Sequence, residues 1–241
     1  MTDEDFEVRA VARVEARREA YDWPFLTERA GDIEAHWAEL KARKPAMFNG
    51  RVLIQHRSEF VGDALRAGYF ETAYAGFIAW TRMGYPPSPP ASLRNGFAMA
   101  ALRTRDGAYL MGVMAAHTVN AGRIYFAAGT PDPGDVTGDG EVDLAGSALR
   151  ELEEETGLLP GEYSAADGWR LVMNRNRIAF MRDVILDLPA SEARALIRDR
   201  LSRQAEPELC DIAVARSAAD IDSERMPPFM QVFLRHAFAN N

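Results

Sequence analysis

Hydrophobic and polar positions change their spacing part-way along this 241-residue chain. The stretches 5–20, 27–44 and 70–83 read as helices, so residues 1–90 form a mainly helical N-terminal region. Between them, Phe48-Asn49-Gly50-Arg51-Val52-Leu53-Ile54 has the pattern of a turn leading into a strand. Tyr85-Pro86-Pro87-Ser88-Pro89-Pro90 cannot continue a helix and marks a connector. A β-rich stretch follows. Phe97 to Arg103 and Tyr109 to Ala115 flank Asp106-Gly107, a hairpin signal. Arg123-Ile124-Tyr125-Phe126 reads as a strand entering an acidic, Gly-rich loop. A helix over 144–157, strands at 169–173 and 177–187, and a helix from Ser191 to Arg203 come next. A strand near Ile212–Ala215 and a helix from Pro228 to Phe238 end the series.

The 144–157 helix carries the chemistry. Its end reads Arg150-Glu151-Leu152-Glu153-Glu154-Glu155-Thr156-Gly157-Leu158. The i, i+3, i+4 spacing puts Glu151, Glu154 and Glu155 within one arc of about 100°. Ala145, Ala148, Leu149 and Leu152 fill the neighbouring arc, which faces a core. Like charges at these spacings each cost a helix roughly 0.2–0.5 kcal/mol. They also stand just before Gly157, a natural helix stop, at the negative end of the helix dipole. Hard divalent cations such as Mg²⁺ or Mn²⁺ are the natural compensation, since they prefer carboxylate oxygens.

This string resembles the Nudix hydrolase signature, Arg-Glu-apolar-x-Glu-Glu-x-Gly-apolar. Arg150, Glu151, Leu152, Glu154, Glu155, Gly157 and Leu158 match it position for position. The resemblance implies an α/β/α sandwich of the Nudix type over 91–241, preceded by the helical region of 1–90. It also implies that Glu154 and Glu155 bind Mg²⁺ or Mn²⁺, and that Glu151 ligates the metal or orients the water. By the same resemblance Arg150 is structural, bracing loop against helix, Gly157 ends the helix, and the Gly129 carbonyl is a further ligand. The chain departs from the pattern before the helix. Val142 stands where the family has a glutamate and Val136 where it has its early glycine. Glu141 or Asp143 is the candidate replacement carboxylate, and Gly129 takes the place of the family's glycine. The acidic loop is not an EF-hand, because position twelve counted from Asp135 is Gly146.

Composition agrees with an enzyme of small molecules. The chain is 47% hydrophobic, enough for a sizeable core, and its net charge of −8 gives no basic field for nucleic acid or anionic membrane. Substrate phosphates must then be met by local arginines and metal. No apolar run approaches the roughly 20 residues of a membrane span. The acidic start Met1-Thr2-Asp3-Glu4-Asp5 lacks a signal peptide's basic region, and a cytoplasmic location is expected. Cys210 is the single cysteine, which excludes an internal disulfide, and reads as a small buried residue. A homodimer is compatible with all of this.

Other candidates are less patterned. Glu208, in Glu206-Pro207-Glu208 between a helix and a strand, is the candidate general base. Arg177, after Arg175-Asn176, is a candidate phosphate contact. His36, His56, His117 and His236 show no zinc spacing. Asp32-Ile33-Glu34-Ala35-His36-Trp37 and Pro45-Ala46-Met47-Phe48-Asn49-Gly50 are similar to the UDP-sugar-hydrolysing branch of the Nudix family, and Gly129-Thr130-Pro131-Asp132-Pro133 echoes its loop. That likeness implies a substrate-binding role for Arg51 and cleavage of a UDP-sugar. The alternatives are ADP-ribose, a dinucleotide or coenzyme A as substrate, or a nucleotide-binding module that does not cleave. No P-loop or dinucleotide-binding glycine string occurs.

Overall fold

The structure, a computed structural model, describes residues 6–87 and 92–240; residues 88–90 of the expected connector lie outside the described residues. In chain order the strands and helices are β1 (Glu7–Val11), β2 (Arg13–Arg18), α1 (Phe25–Glu28), α2 (Ala30–Arg43), β3 (Arg51–Val61), β4 (Ala64–Ala73) and α3 (Tyr74–Arg82). There follow β5 (Asn95–Thr104), β6 (Tyr109–Met114), β7 (Ile124–Tyr125), β8 (Ala128–Gly129) and α4 (Leu144–Thr156). The chain continues with β9 (Tyr163–Ala165), β10 (Trp169–Met173), β11 (Arg177–Leu186), α5 (Ala190–Leu201), β12 (Leu209–Ala215) and α6 (Pro228–Ala239). Two compact units result. One is formed by Met1–Ala12, Phe97–Gly129 and Ala145–Asn241, the other by Arg13–Gly96 and Thr130–Leu144. Against the division expected at residue 90, the change of unit falls between Gly96 and Phe97, and the segments 1–12 and 130–144 belong to the opposite unit.

The first unit is an α/β/α sandwich. Its sheet runs β1-β10-β11-β5-β6-β12, with β7 on β6, β8 on β5 and β9 on β11. Period-two alternation in β5 splits its side chains between two cores. Phe97, Met99 and Ala101 join Met230, Phe233 and Leu234 of α6 on one face. Ala100 and Leu102 join Leu152 of α4 and Ile197 and Leu201 of α5 on the other. The hairpin at Asp106-Gly107 forms as expected, with Gly107 at φ 84°.

The second unit holds a three-stranded sheet, β2-β4-β3, over a core of Trp23, Phe25, Ile54, Phe70, Phe77 and Trp80. The helical N-terminal region expected from the sequence is therefore corrected: α2 falls within the helix expected over 27–44, but the described part of 5–20 holds the two strands Glu7–Val11 and Arg13–Arg18. Arginine, alanine and glutamate favour a helix locally. Non-local pairing overrides them, β1 antiparallel to β10 and β2 parallel to β4, and buries Val11 and Ala16. The helix expected over 70–83 begins only at Tyr74, since Phe70 pairs with Ile54 in β3. Asn49 Oδ1 accepts from the Ala75 N–H at 2.8 Å and caps α3 from a distant part of the chain.

Phe233 closes one face of the sandwich. It is fully buried, its ring centroid 5.5 Å from that of Phe126 and 5.7 Å from that of Tyr109. Phe233→Ala should cost about 3–5 kcal/mol. Urea unfolding followed by circular dichroism checks this; an unchanged midpoint would show that α6 contributes little to the face.

Candidate active site

Helix α4 presents its apolar arc, Ala148 and Leu152, to the core and ends at Gly157, whose φ is 72°. A left-handed residue there is what the sequence requires of a helix stop. The unfavourable charge at this end is met by neighbours: Arg200 Nη1 donates to the Gly157 carbonyl at 2.6 Å, and Gln204 Nε2 donates to the Glu154 carbonyl at 3.1 Å. Both groups belong to α5 and the loop after it, so the segment carrying Glu208 is tied to the acidic helix.

The three glutamates of the arc lie in different surroundings. Glu154 is exposed and Arg150 Nη1 stands 3.5 Å from it. Glu151 is mostly covered and pairs with Arg150 Nη1 at 3.0 Å. Glu155 is buried. One of its carboxylate oxygens accepts from the Ala128 N–H at 3.3 Å, while Oε2 has no hydrogen-bond partner among the described residues. Burial first, and then repulsion from Glu151, Glu208 and Glu154, pushes its pKa up to about 8; the Ala128 N–H opposes this.

Glu208 thus lies within electrostatic reach of Glu155, although 53 residues separate them. Its backbone carbonyl accepts from the Ala115 N–H at 2.8 Å, which anchors the turn into β12. Gly129 is pressed against the acids as well: a Cβ there would stand 2.2 Å from Glu151 Oε1. Tyr125 is a member that sequence reasoning missed. Burial, with repulsion from Glu155 and Glu208, pushes its pKa up to about 12, so the phenol keeps its proton; Asn120 Nδ2 donates to its oxygen at 3.0 Å. The only hint of it in the sequence is an aromatic four residues before Gly129.

The remaining candidates are more dispersed. Arg51 belongs to the second unit, where Nε donates to Glu71 at 2.7 Å. Phe48 is 82% exposed and anchors no core, while Trp37 meets Tyr74 edge-on at 6.3 Å. Arg177 opens β11, and its backbone N–H donates to Asn174 Oδ1 at 3.0 Å. The departure at Val142 has a structural reason. Val142 is buried in the second unit, and its N–H donates to the Ala16 carbonyl at 2.9 Å. His56 pairs with Glu19 at 3.0 Å and stacks on Tyr21. Cys210 is exposed rather than buried, because the β12 register shifts between Leu209 and Asp211 and leaves it outside the ladder. None of the described helices is long and apolar enough to cross a membrane.

No family model and no curated protein matches the chain. Among solved structures it is similar to the MutT protein from Methanosarcina mazei Go1. The identity is 15%, over 61% of this chain and 95% of that one, with a TM-score of 0.38. It is also similar to RenU, a Nudix hydrolase from M. smegmatis: 13% identity, over 63% of this chain and 92% of that one, TM-score 0.39. The fold class stands on the chain's own strand order and layers.

Among the described residues, no group of three or more His, Cys, Asp or Glu is gathered so as to hold a metal ion. The donor chemistry nevertheless fits a hard divalent cation. A buried carboxylate oxygen lacks a partner, and its proton is held there by burial and by like charges that a cation would relieve.

The Glu155 shift fixes a pH dependence. With its carboxyl raised from 4.5 to about 8, the folded chain keeps a proton that the unfolded chain releases. In chelator, its contribution makes stability fall as pH rises from about 4.5 to about 8 and level off above. Glu155→Gln should remove that slope and melt higher than the parent above pH 8. Melting curves across this range measure it, and parallel curves for the two proteins would refute the assignment.

Proposed function

We propose that this chain hydrolyses a diphosphate bond in a nucleoside diphosphate linked to another moiety, using Mg²⁺ or Mn²⁺. The observation that carries the reading is Glu155: a buried, partnerless carboxylate oxygen inside a string that matches the Nudix signature. Glu151, Glu154, Glu155 and the Gly129 carbonyl would hold the metal. A bound divalent cation would neutralise charge building on the bridging oxygen and acidify the attacking water. Glu208 takes the proton of that water as general base. The new bond joins water oxygen to phosphorus, the bridging oxygen–phosphorus bond breaks, and two phosphate-bearing products leave. The Tyr125 hydroxyl has a proton to donate near Glu155 and Glu208. Arg177 is proposed to meet a substrate phosphate.

The proposed substrate is a UDP-sugar, giving UMP and a sugar phosphate, on the similarity of the segments around Trp37 and Phe48 to that branch. Arg51 is proposed to bind it. Removing Arg51 does not strand Glu71, since Arg18 stands 3.6 Å from the same carboxylate. ADP-ribose, a dinucleotide or coenzyme A are the alternatives. A nucleotide-binding module that does not cleave is the alternative from another class, and the retention of Glu151, Glu154 and Glu155 speaks against it.

Turnover separates these readings. With UDP-glucose and Mn²⁺, chromatography should show UMP and glucose phosphate. Glu154→Gln and Glu155→Gln should each lose most turnover without loss of fold, and Arg51→Ala should raise KM more than it lowers kcat. Gly129→Ala should displace the Glu151 carboxylate, a flexible side-chain end, and so lower turnover with little change in melting temperature. Cleavage of ADP-ribose but not UDP-glucose would overturn the UDP-sugar reading alone. No cleavage of any nucleoside diphosphate derivative would favour the binding module.

A further inference from the structure

A cavity of about 480 Å³ opens in the first unit where the β5–β6 hairpin, the end of β12 and the end of α6 meet. It shares no residue with the acidic cluster. Arg103, Arg216 and Arg235 line it, together with Ser217 and the ring of Phe238. No lining residue is acidic. That is unusual in a chain with 36 acidic and only 28 basic residues.

Two acids lie behind the wall. Asp106 accepts from Arg216 Nη1 at 2.9 Å and offsets that guanidinium. Asp220 is turned toward backbone, accepting from the N–H groups of Arg216 and Ser217 at 2.8 and 2.9 Å. Arg103 is different. It is half-buried over the Tyr109 ring at 5.9 Å, and no ion pair of its own is found among the described residues. A partly desolvated guanidinium without a counter-charge is costly, and an anion entering the cavity would supply one. The C-terminal end of α6 opposes an anion, but with only about half a unit charge against whole guanidiniums.

We infer that this cavity binds a phosphate-bearing small molecule, its anion on Arg103 among the three arginines of the lining and any flat apolar part against Phe238. The site is independent of the proposed hydrolysis, and its test is run in chelator, where the carboxylates of the acidic cluster repel anions. Isothermal titration calorimetry with inorganic phosphate and with AMP should show saturable binding that weakens as salt is added. Arg103→Gln should weaken it by about tenfold or more, since a charge-assisted contact is lost. Arg235→Gln, an exposed change on α6, should act in the same direction and covers the case in which the Arg103 variant folds poorly. Tighter binding of AMP than of phosphate assigns the site to a nucleotide stacked on Phe238, and equal binding assigns it to the free anion. Absence of saturable binding, or unchanged affinity in both variants, overturns the inference.

Discussion

The burial of Glu155 is the constraint around which the first unit is organised. A carboxylate removed from water needs either hydrogen bonds or a counter-charge, and here it has one long contact from the Ala128 N–H and a partnerless oxygen. Its neighbours worsen the imbalance, since Glu151, Glu154 and Glu208 all repel it. Natural folds rarely keep such a group without a use, because a proton or a cation must complete it. The surroundings therefore hold a proton on the buried acid, the charge state that burial and like charges favour.

The rest of the unit holds that acid in place. β5 faces both cores, so it clamps α4 on one side of the sheet and α6 on the other. The end of α4, which carries misplaced negative charge, is closed by Arg200 and Gln204 instead of by a basic residue of its own last turn. The loop that brings Glu208 is thereby fixed to the helix it serves. Gly129 completes the arrangement from the strand side, where only the absence of a side chain leaves room for the Glu151 carboxylate.

Charge is distributed with the same economy. Carboxylates concentrate at one end of α4, whereas three arginines converge on a cavity walled by β5, β12 and α6. In a chain of net charge −8 these two places carry opposite local charge. Phosphate chemistry has a use for each.

The local features were legible in the sequence. The hairpin at Asp106-Gly107, the strands at 169–173 and 177–187, the last two helices and the acidic helix with its Gly157 stop all depend on residues a few positions apart. Turn chemistry and helical periodicity encode these directly. Tertiary structure decided the rest, because burial and strand pairing depend on partners far along the chain. Glu7–Val11 and Arg13–Arg18 have helix-favouring composition and became β1 and β2 because they pair with β10 and β4. Val142, aligned with a family glutamate, became a core residue because residues 130–144 joined the second unit. The spacing of Glu151, Glu154 and Glu155 placed three acids on one arc. Only the packing of the sheet and of the Glu208 turn determined that Glu155 would be the one removed from water.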